Sequence, residues 1–248
     1  MRKNVRKNIM EKSFNLIQIL NMIIKNVADN KDVVMCYYNL LSAGPEIYKH
    51  SVKVALLATI LGTRHYKNEI QITQLFNSAL LHDYGKLYTP RNILEKPGKL
   101  SKDERMVIEL HPVAGYFYLS EQTNLSLNTL MGVLDHHEKE DGSGYGLGKK
   151  GDEITQFGKI IAIADVYAAM TSNRVYHKKE SSDSVKKFIC DNCNSHFNTA
   201  LVVDFFEQLD SIQYEIDLEY LVHQLEIKIT TIVIDKQDSY TNMRYIIK

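Results

Sequence analysis

The segment Leu80-Leu-His-Asp-Tyr-Gly-Lys86 places a histidine and an aspartate side by side at the end of an apolar stretch. In that stretch, apolar residues recur three and four positions apart, which predicts one face of an α-helix. They are Ile72, Leu75, Phe76, Ala79 and Leu80. We expect a buried helix that ends at His82-Asp83, with Lys86 about one turn further on. A lone His-Asp pair is more often a capping or surface pair, so its meaning depends on the rest of the chain.

Most of the remaining chain has helical periodicity as well. Residues 52–61 carry an apolar face that ends at Gly62, which we expect to cap the helix C-terminus. Phe14–Ile24 predicts an amphipathic helix packed on the body, and Phe157–Met170 is apolar nearly all round, which indicates a central buried helix. Five glycines between Asp141 and Gly151 instead predict an irregular loop.

The C-terminal segment has a different pattern. Large apolar residues, many of them β-branched, partly alternate with polar ones from Leu225 to Ile234. A polar stretch, Asp235–Asn242, separates them from residues 243–247, which could pair back. This alternation is compatible with a small β-hairpin.

Composition narrows the classes of partner. The 248 residues carry 30 Lys+Arg and 30 Asp+Glu, so the formal net charge is zero with His neutral. Nucleic-acid polymers and membrane surfaces usually require a basic excess, so both are disfavoured. No segment is apolar enough over roughly 20 residues to span a bilayer. Three Cys make a disulfide framework unexpected, and we therefore expect a cytoplasmic protein.

Histidines and carboxylates recur where metal chemistry would use them. Glu46 and His50 are four residues apart, so a helix would place both on one face. His111 stands at a predicted helix boundary, and His136-His137 ends another apolar stretch. Any one of these has an ordinary structural explanation, so only their combination indicates a metal site.

Asp165 is the sharpest single signal. It lies between Ala164 and Val166 in the most apolar predicted helix, so its carboxylate would be buried. An unpaired buried carboxylate is costly and needs a partner or a cation, although a helix cap or an Arg or Lys would also meet that need. Imidazole together with carboxylate suits iron, manganese or zinc better than magnesium or calcium.

The order and spacing of these residues resemble the HD-GYP family, a branch of the HD superfamily of metal-dependent phosphohydrolases. The resemblance extends from about Glu46 to Phe206 and covers most of the chain. The segments that carry it are Leu80–Lys86, Pro90–Leu100, His111–Gly115, His136–Tyr145, Lys150–Ile154, Ile161–Val166 and Thr171–Tyr176.

The resemblance implies an all-α helical bundle with its site between helices. It also implies two or three divalent metal ions, with iron or manganese as the usual identity. The implied ligands are Glu46, His50, His82, Asp83, His111, His136, His137 and Asp165. Asp83 would bridge metals and act in catalysis with Lys86, and Glu46 matches the extra carboxylate of members that hold three metals.

The implied substrate is a cyclic dinucleotide, chiefly cyclic di-GMP and in some members 3′,3′-cyclic GMP-AMP. Hydrolysis would give a linear dinucleotide and sometimes a mononucleotide. Arg174 would hold the second phosphate through a bidentate contact. The substrate-binding candidates are Lys86, Tyr145, Arg174, Tyr176 and Lys178. We accordingly divide the chain into a helical cap or remnant sensor region (1–40), an HD-GYP catalytic domain (41–210) and a C-terminal extension (211–248), with a homodimer or a signalling protein as the expected partner.

Three positions depart from the family pattern. Gly146 replaces the proline of the GYP triplet, Ala168 replaces an aspartate, and His177 replaces a basic residue. Because glycine is more flexible than proline, the loop is expected to be less preorganised. Two alternatives therefore stay open: a receptor that binds the nucleotide with little or no turnover, and an HD phosphatase acting on another phosphate ester.

Overall fold

The computed structural model describes residues 2–172, 179–213 and 217–240. Regular structure in these ranges is helical, and no β-strand occurs in them, which confirms the all-α prediction. The helices are α1 Arg2–Asp29, α2 Lys31–Ala43, α3 Pro45–His65, α4 Glu69–Leu81, α5 Arg91–Leu94, α6 Lys102–Glu109, α7 His111–Gln122, α8 Leu127–Asp135, α9 Gln156–Met170, α10 Ser182–Asp191, α11 Thr199–Gln213 and α12 Leu218–Tyr240. Short 3₁₀ turns span Tyr84–Tyr88 and Gly151–Glu153.

Helix α3 lies at the centre of the bundle. Every residue from Ser51 to Gly62 is buried, and the helix packs against α4, α9, α11 and α2. The predicted central helix α9 is buried in the same way along most of its length. Polar side chains in the buried parts of α3 and α9 are therefore held inside the fold, where each needs a partner.

Gly62 serves a different purpose from the predicted one. Helix α3 continues past it to His65, so Gly62 does not cap the helix C-terminus. A Cβ atom at Gly62 would overlap the side chain of Leu75 on α4. The glycine therefore allows α3 and α4 to approach closely, which places the end of α4 beside the middle of α3.

The predicted C-terminal β-hairpin is wrong for the part of it that the structure describes. Leu225–Ile234 lies within α12, and the proposed return strand, 243–247, lies outside the described residues. Val222, Leu225, Ile229 and Val233 are buried at helical spacing, and α12 packs against α2, α3 and α1. Burial of one helical face thus outweighs the intrinsic β-propensity of the β-branched residues.

The predicted amphipathic helix near the N-terminus is confirmed. Leu16, Leu20, Ile23 and Val27 form the buried face of α1 and join the main hydrophobic core. Among the described residues, no helix combines the length and apolar character needed to cross a membrane.

Candidate metal centre

Helix ends bring most of the predicted ligands together. Three helix boundaries and the two central helices converge on one region of the bundle. His82 and Asp83 follow α4, His111 begins α7, His136 and His137 follow α8, and His50 and Asp165 lie within α3 and α9.

Two glycines allow the end of α4 to meet the start of α7. A Cβ atom at Gly85 would overlap the carbonyl oxygen of His111, and one at Gly115 would lie 3.1 Å from the backbone nitrogen of Gly85. The backbone contact between these segments therefore tolerates no side chain at Gly85. This contact brings Asp83 next to His111.

Asp83 lies at the centre of the arrangement. It belongs to two groups whose potential ligand atoms all lie within 4.8 Å of one another: Asp83, His111, His136 and His137, and His50, His82 and Asp83. Its Oδ1 is 3.2 Å from Nε2 of His111, and its Oδ2 is 3.4 Å from Nε2 of His82. A carboxylate with one oxygen toward each group has the arrangement needed to bridge two cations.

Three histidines are oriented in the same way. Nδ1 of His82, His111 and His136 lies 2.6–2.8 Å from the backbone carbonyl oxygen three residues earlier. A carbonyl oxygen only accepts, so each Nδ1 must carry the proton, and in the neutral ring each Nε2 is left with a lone pair. The Nε2 atoms of His111 and His136 lie only 3.2 Å apart. Two facing lone pairs repel each other unless a proton or a cation lies between them.

The residues therefore fit a divalent metal. Nε2 of His82 and Oδ1 of Asp83 are buried and have no hydrogen-bond partner. Buried polar atoms are rarely left unsatisfied in folded proteins, and each such atom calls for an explanation. Imidazole nitrogens and carboxylate oxygens directed at the same space make a cation that explanation.

Asp165 has the partner that its position required. Its Oδ1 is 2.8 Å from Nε2 of His50 and 3.9 Å from Nε2 of His82, and its side chain is 15% exposed. The partner is an imidazole rather than the Arg, Lys or helix cap considered from the sequence. Asp165 thus lies beside His50 and His82, although it belongs to neither ligand group itself.

Burial and charge shift the pKa values of the cluster. Burial would raise the pKa of Asp83, but the charges of His82 and Lys86 hold the pKa of that carboxyl well below its usual range. Burial likewise opposes ionisation of Asp165, yet the hydrogen bond and charge of His50 keep its pKa well below normal. Burial lowers the pKa of His137 to about 3. Metal binding requires ionised carboxylates and neutral imidazoles, and Asp83, Asp165 and His137 are in those states. His82 differs, because burial lowers its pKa but the charge and hydrogen bond of Asp83 raise it above its ordinary value.

Other predicted residues lie at the edge of the cluster or beyond it. Glu46 is exposed on the first turn of α3 and belongs to neither ligand group. Lys86 donates to Oδ2 of Asp83 at 2.7 Å. Tyr145 stacks on the ring of His137, with ring centroids 4.5 Å apart, so it packs against a candidate ligand. The remaining predicted substrate contacts, Arg174, Tyr176 and Lys178, lie outside the described residues, as does His177.

Asp135 is a site residue that the sequence reasoning missed. It is fully buried next to His136, where it accepts hydrogen bonds from Nζ of Lys149 at 2.7 Å and from the backbone N–H of Thr155 at 2.9 Å. It therefore ties the end of the glycine-rich loop and the start of α9 to the histidine pair. The signal was available, because Asp135 follows the apolar stretch that ends α8, just as Asp165 lies among apolar residues.

Glu138 holds the glycine-rich loop from the other side. Its Oε1 accepts a hydrogen bond from the backbone N–H of Leu147 at 2.6 Å, and it is 3% exposed. The preceding residue, Gly146, has φ +125°. Proline fixes φ near −65°, so this backbone could not accept the proline that the family pattern has at this position. Glu138 thus anchors the loop at the residue that follows Gly146.

An open cleft leads to the cluster. One cavity of about 620 Å³ is lined by residues that include His50, Asp83 and Lys86. A second cavity, of about 550 Å³, shares Glu46, Ile47, Lys86 and Leu94 with the first. Lys86 thus stands where the two cavities meet, with Asp83 behind it.

Comparison with known proteins places these features in a family. The model of the HD domain family matches residues 35–201. The chain is similar to a probable cyclic di-GMP phosphodiesterase of Vibrio cholerae serotype O1, with 39% identity over 168 residues, which are 64% of this chain and 38% of that protein. It is also similar to 3′3′-cGAMP-specific phosphodiesterase 1 of the same organism, with 36% identity over 160 residues, 64% of this chain and 37% of that protein.

A solved structure supports the same fold. An HDGYP protein from Bdellovibrio bacteriovorus superposes with a TM-score of 0.56 and 15% identity, covering 84% of this chain and 79% of that one. At this identity the likeness concerns the fold alone. The chain spans less than two fifths of the length of either Vibrio relative.

Proposed function

Because this chain belongs to the HD domain family and its resemblance to the HD-GYP branch is confirmed, we propose that it is a metal-dependent phosphodiesterase that hydrolyses a cyclic dinucleotide. Cyclic di-GMP is the first candidate substrate and 3′,3′-cyclic GMP-AMP the second, since the similar Vibrio proteins are named for these two substrates. The product would be a linear dinucleotide. The observation that carries the proposal is Asp83, which faces both ligand groups from the floor of an open cleft.

Seven residues would hold two divalent metal ions. They are His50, His82, Asp83, His111, His136, His137 and Asp165. Iron or manganese suits this mixture of imidazole and carboxylate. Such ions lower the pKa of water and neutralise phosphate oxygens as charge develops in the transition state. Glu46 lines the cleft one helical turn before His50 and would supply a carboxylate for a third ion.

Lys86 would act on the substrate directly. Its side chain is 23% exposed, and its ammonium lies 2.7 Å from Asp83 at the junction of the two cavities. A phosphate that reached Asp83 would therefore meet Lys86 as well. The ammonium would hold a phosphate oxygen and offset the charge that gathers on the departing oxygen. Arg174, Tyr145, Tyr176 and Lys178 remain the proposed further contacts.

The experiment is hydrolysis by protein loaded with iron or manganese under reducing conditions. Cyclic di-GMP and 3′,3′-cyclic GMP-AMP are supplied separately, and linear products are separated by anion-exchange chromatography. We expect turnover by the unmodified chain and its loss, together with loss of bound metal, in His82→Ala. His65→Ala is the matched control, because His65 pairs with Asp204 outside the cluster.

The outcomes separate the alternatives. Binding of a cyclic dinucleotide without formation of product would indicate that the protein is a receptor rather than an enzyme. Hydrolysis of mononucleotides in preference to cyclic dinucleotides would indicate a phosphatase acting on another ester. Absence of both binding and turnover with the metal-loaded protein would refute the proposal.

A further inference from the structure

A buried lysine lies close to the candidate metal ligands. Lys53 is on α3, three residues after His50, and only 4% of its surface is exposed. Its Nζ donates to Oγ of Ser172 at 3.0 Å and to Oε1 of Glu219 at 2.8 Å. A buried ammonium is costly unless an anion accompanies it, so this position requires a negative partner.

Lys53 belongs to the same cavity as the metal cluster. The cavity of about 620 Å³ is lined by His50, Lys53, Asp83, Lys86, Ser172 and Glu219, among others. Residues three apart on a helix share a face, so Lys53 continues the face of α3 that carries His50. A ligand that filled this cavity from Asp83 outward would therefore approach the ammonium of Lys53.

The two partners of this ion pair differ in exposure. The side chain of Lys53 is 5% exposed, whereas that of Glu219 is 69% exposed. The carboxylate would regain full hydration on leaving, so separation costs Glu219 little. Lys53 would be left without an anion, unless another took the place of the carboxylate. Glu219 is thus the replaceable member of the pair.

Glu219 also comes from a different part of the chain. It lies in the first turn of α12, beyond residues 35–201 that match the HD domain family. Lys53 lies within the matched range. The carboxylate that neutralises the lysine is therefore supplied by a helix outside the matched range.

We infer that Lys53 forms an anion subsite for the second phosphate of the substrate, and that Glu219 occupies this subsite as an internal competitor until substrate binds. The inference rests on the proposed function, since a cyclic dinucleotide carries two phosphates. One phosphate would lie at Asp83 and Lys86. The second phosphate would lie at Lys53, about one turn of α3 beyond His50. The hydroxyl of Ser172 accepts from Lys53 and keeps its own proton to donate to a phosphate oxygen.

The test compares kcat and KM for cyclic di-GMP in the manganese-loaded full chain. Glu219→Gln removes the competing charge, so KM should fall about threefold to fivefold at unchanged kcat, the range of an exposed ion pair. Lys53→Met should raise KM at least about tenfold, because a charge-assisted hydrogen bond to phosphate is lost. The double variant should match Lys53→Met, since Glu219 competes only when Lys53 is present.

Two further measurements keep the test decisive. Glu226→Gln removes one negative charge from the same cavity but leaves the ion pair of Lys53 in place. Its KM therefore measures the effect of a charge in the cavity that does not compete for Lys53. A thermal midpoint for each variant detects a structural role. The inference would be overturned if the KM of Glu219→Gln were no lower than that of Glu226→Gln. It would also be overturned if Glu219→Gln lowered KM equally in the unmodified chain and in Lys53→Met. Either result would leave the proposed function intact. Absence of both binding and turnover in the unmodified chain would instead refute the proposed function.

Discussion

Replacing Lys149 with methionine should test how the loop supports the histidine pair. Asp135 is fully buried, and Lys149 provides the cation that neutralises it at 2.7 Å. Methionine keeps most of the length and apolar surface of the lysine side chain and removes only the charge. The substitution would leave Asp135 with the Thr155 N–H as its remaining hydrogen-bond donor.

The expected loss follows from this geometry. Removing one partner of a buried ion pair costs roughly 3–5 kcal/mol, because the other charge stays buried without compensation. The Thr155 N–H still supports the carboxylate, so we place the loss near the lower limit, at about 3 kcal/mol. For a chain of this size, such a loss lowers the thermal midpoint by roughly 6–12 °C.

Urea unfolding followed by circular dichroism measures this loss. Lys187→Met is the matched control, since Lys187 pairs with Asp191 at the surface, with side chains 75% and 59% exposed. The control should lose less than about 1 kcal/mol. Combining Lys149→Met with Asp135→Asn should recover much of the lost stability, because the unpaired charge is gone. Equal losses in Lys149→Met and Lys187→Met would refute the reasoning.

Three other substitutions or additions have definite expected results. Gly146→Pro, the residue typical of the family, should make the loop more sensitive to limited proteolysis, because Gly146 has φ +125° and proline cannot adopt it. Ile229→Ala, at a fully buried position of α12, should cost roughly 2–5 kcal/mol in urea unfolding, whereas Ile227→Ala, 46% exposed, should cost much less; similar losses would argue against the helix. Manganese at about 100 times its Kd should stabilise the unmodified chain by about 2.7 kcal/mol, and Asp83→Asn should lose most of that gain; an equal thermal shift in both would place the metal elsewhere.

Apolar periodicity was sufficient to predict the helices that build the core. It did not predict which helix packs against each apolar face. The residues from Leu225 to Ile234 fit alternation and helical spacing almost equally well over so short a stretch. Burial of Leu225, Ile229 and Val233 against α2, α3 and α1 decides for a helix, and that packing depends on distant parts of the chain. Gly62 is a similar case, since its close contact is with Leu75 on another helix.

The sequence predicted most of the residues that the structure brings together in the candidate site, but not the residues that support them. His82, Asp83 and Asp165 stand out because polar residues follow or interrupt apolar stretches. Asp135 and Glu138 act through backbone N–H groups at Thr155 and Leu147, and a sequence does not show which loop will fold back onto them. Lys53 was missed for the same reason, because its partner Glu219 lies 166 residues away.

The placement of histidines just after helices has a physical basis. The last four carbonyl groups of an α-helix have no partner within the helix. Ala79, Ile108 and Val133 lie in the final turns of α4, α6 and α8, and their carbonyl oxygens receive the Nδ1–H of His82, His111 and His136. The carbonyl of Ile108 cannot accept from the residue four positions later, because that residue is Pro112, which has no N–H to donate.

One hydrogen bond at each helix end therefore meets two requirements. It gives a donor to a carbonyl of the last helical turn, and it fixes the imidazole with its Nε2 lone pair toward the cluster around Asp83. The negative ends of the α4 and α8 dipoles, capped by His82 and His136, also favour positive charge nearby. The way in which these helices end thus favours a cation among His82, His111 and His136.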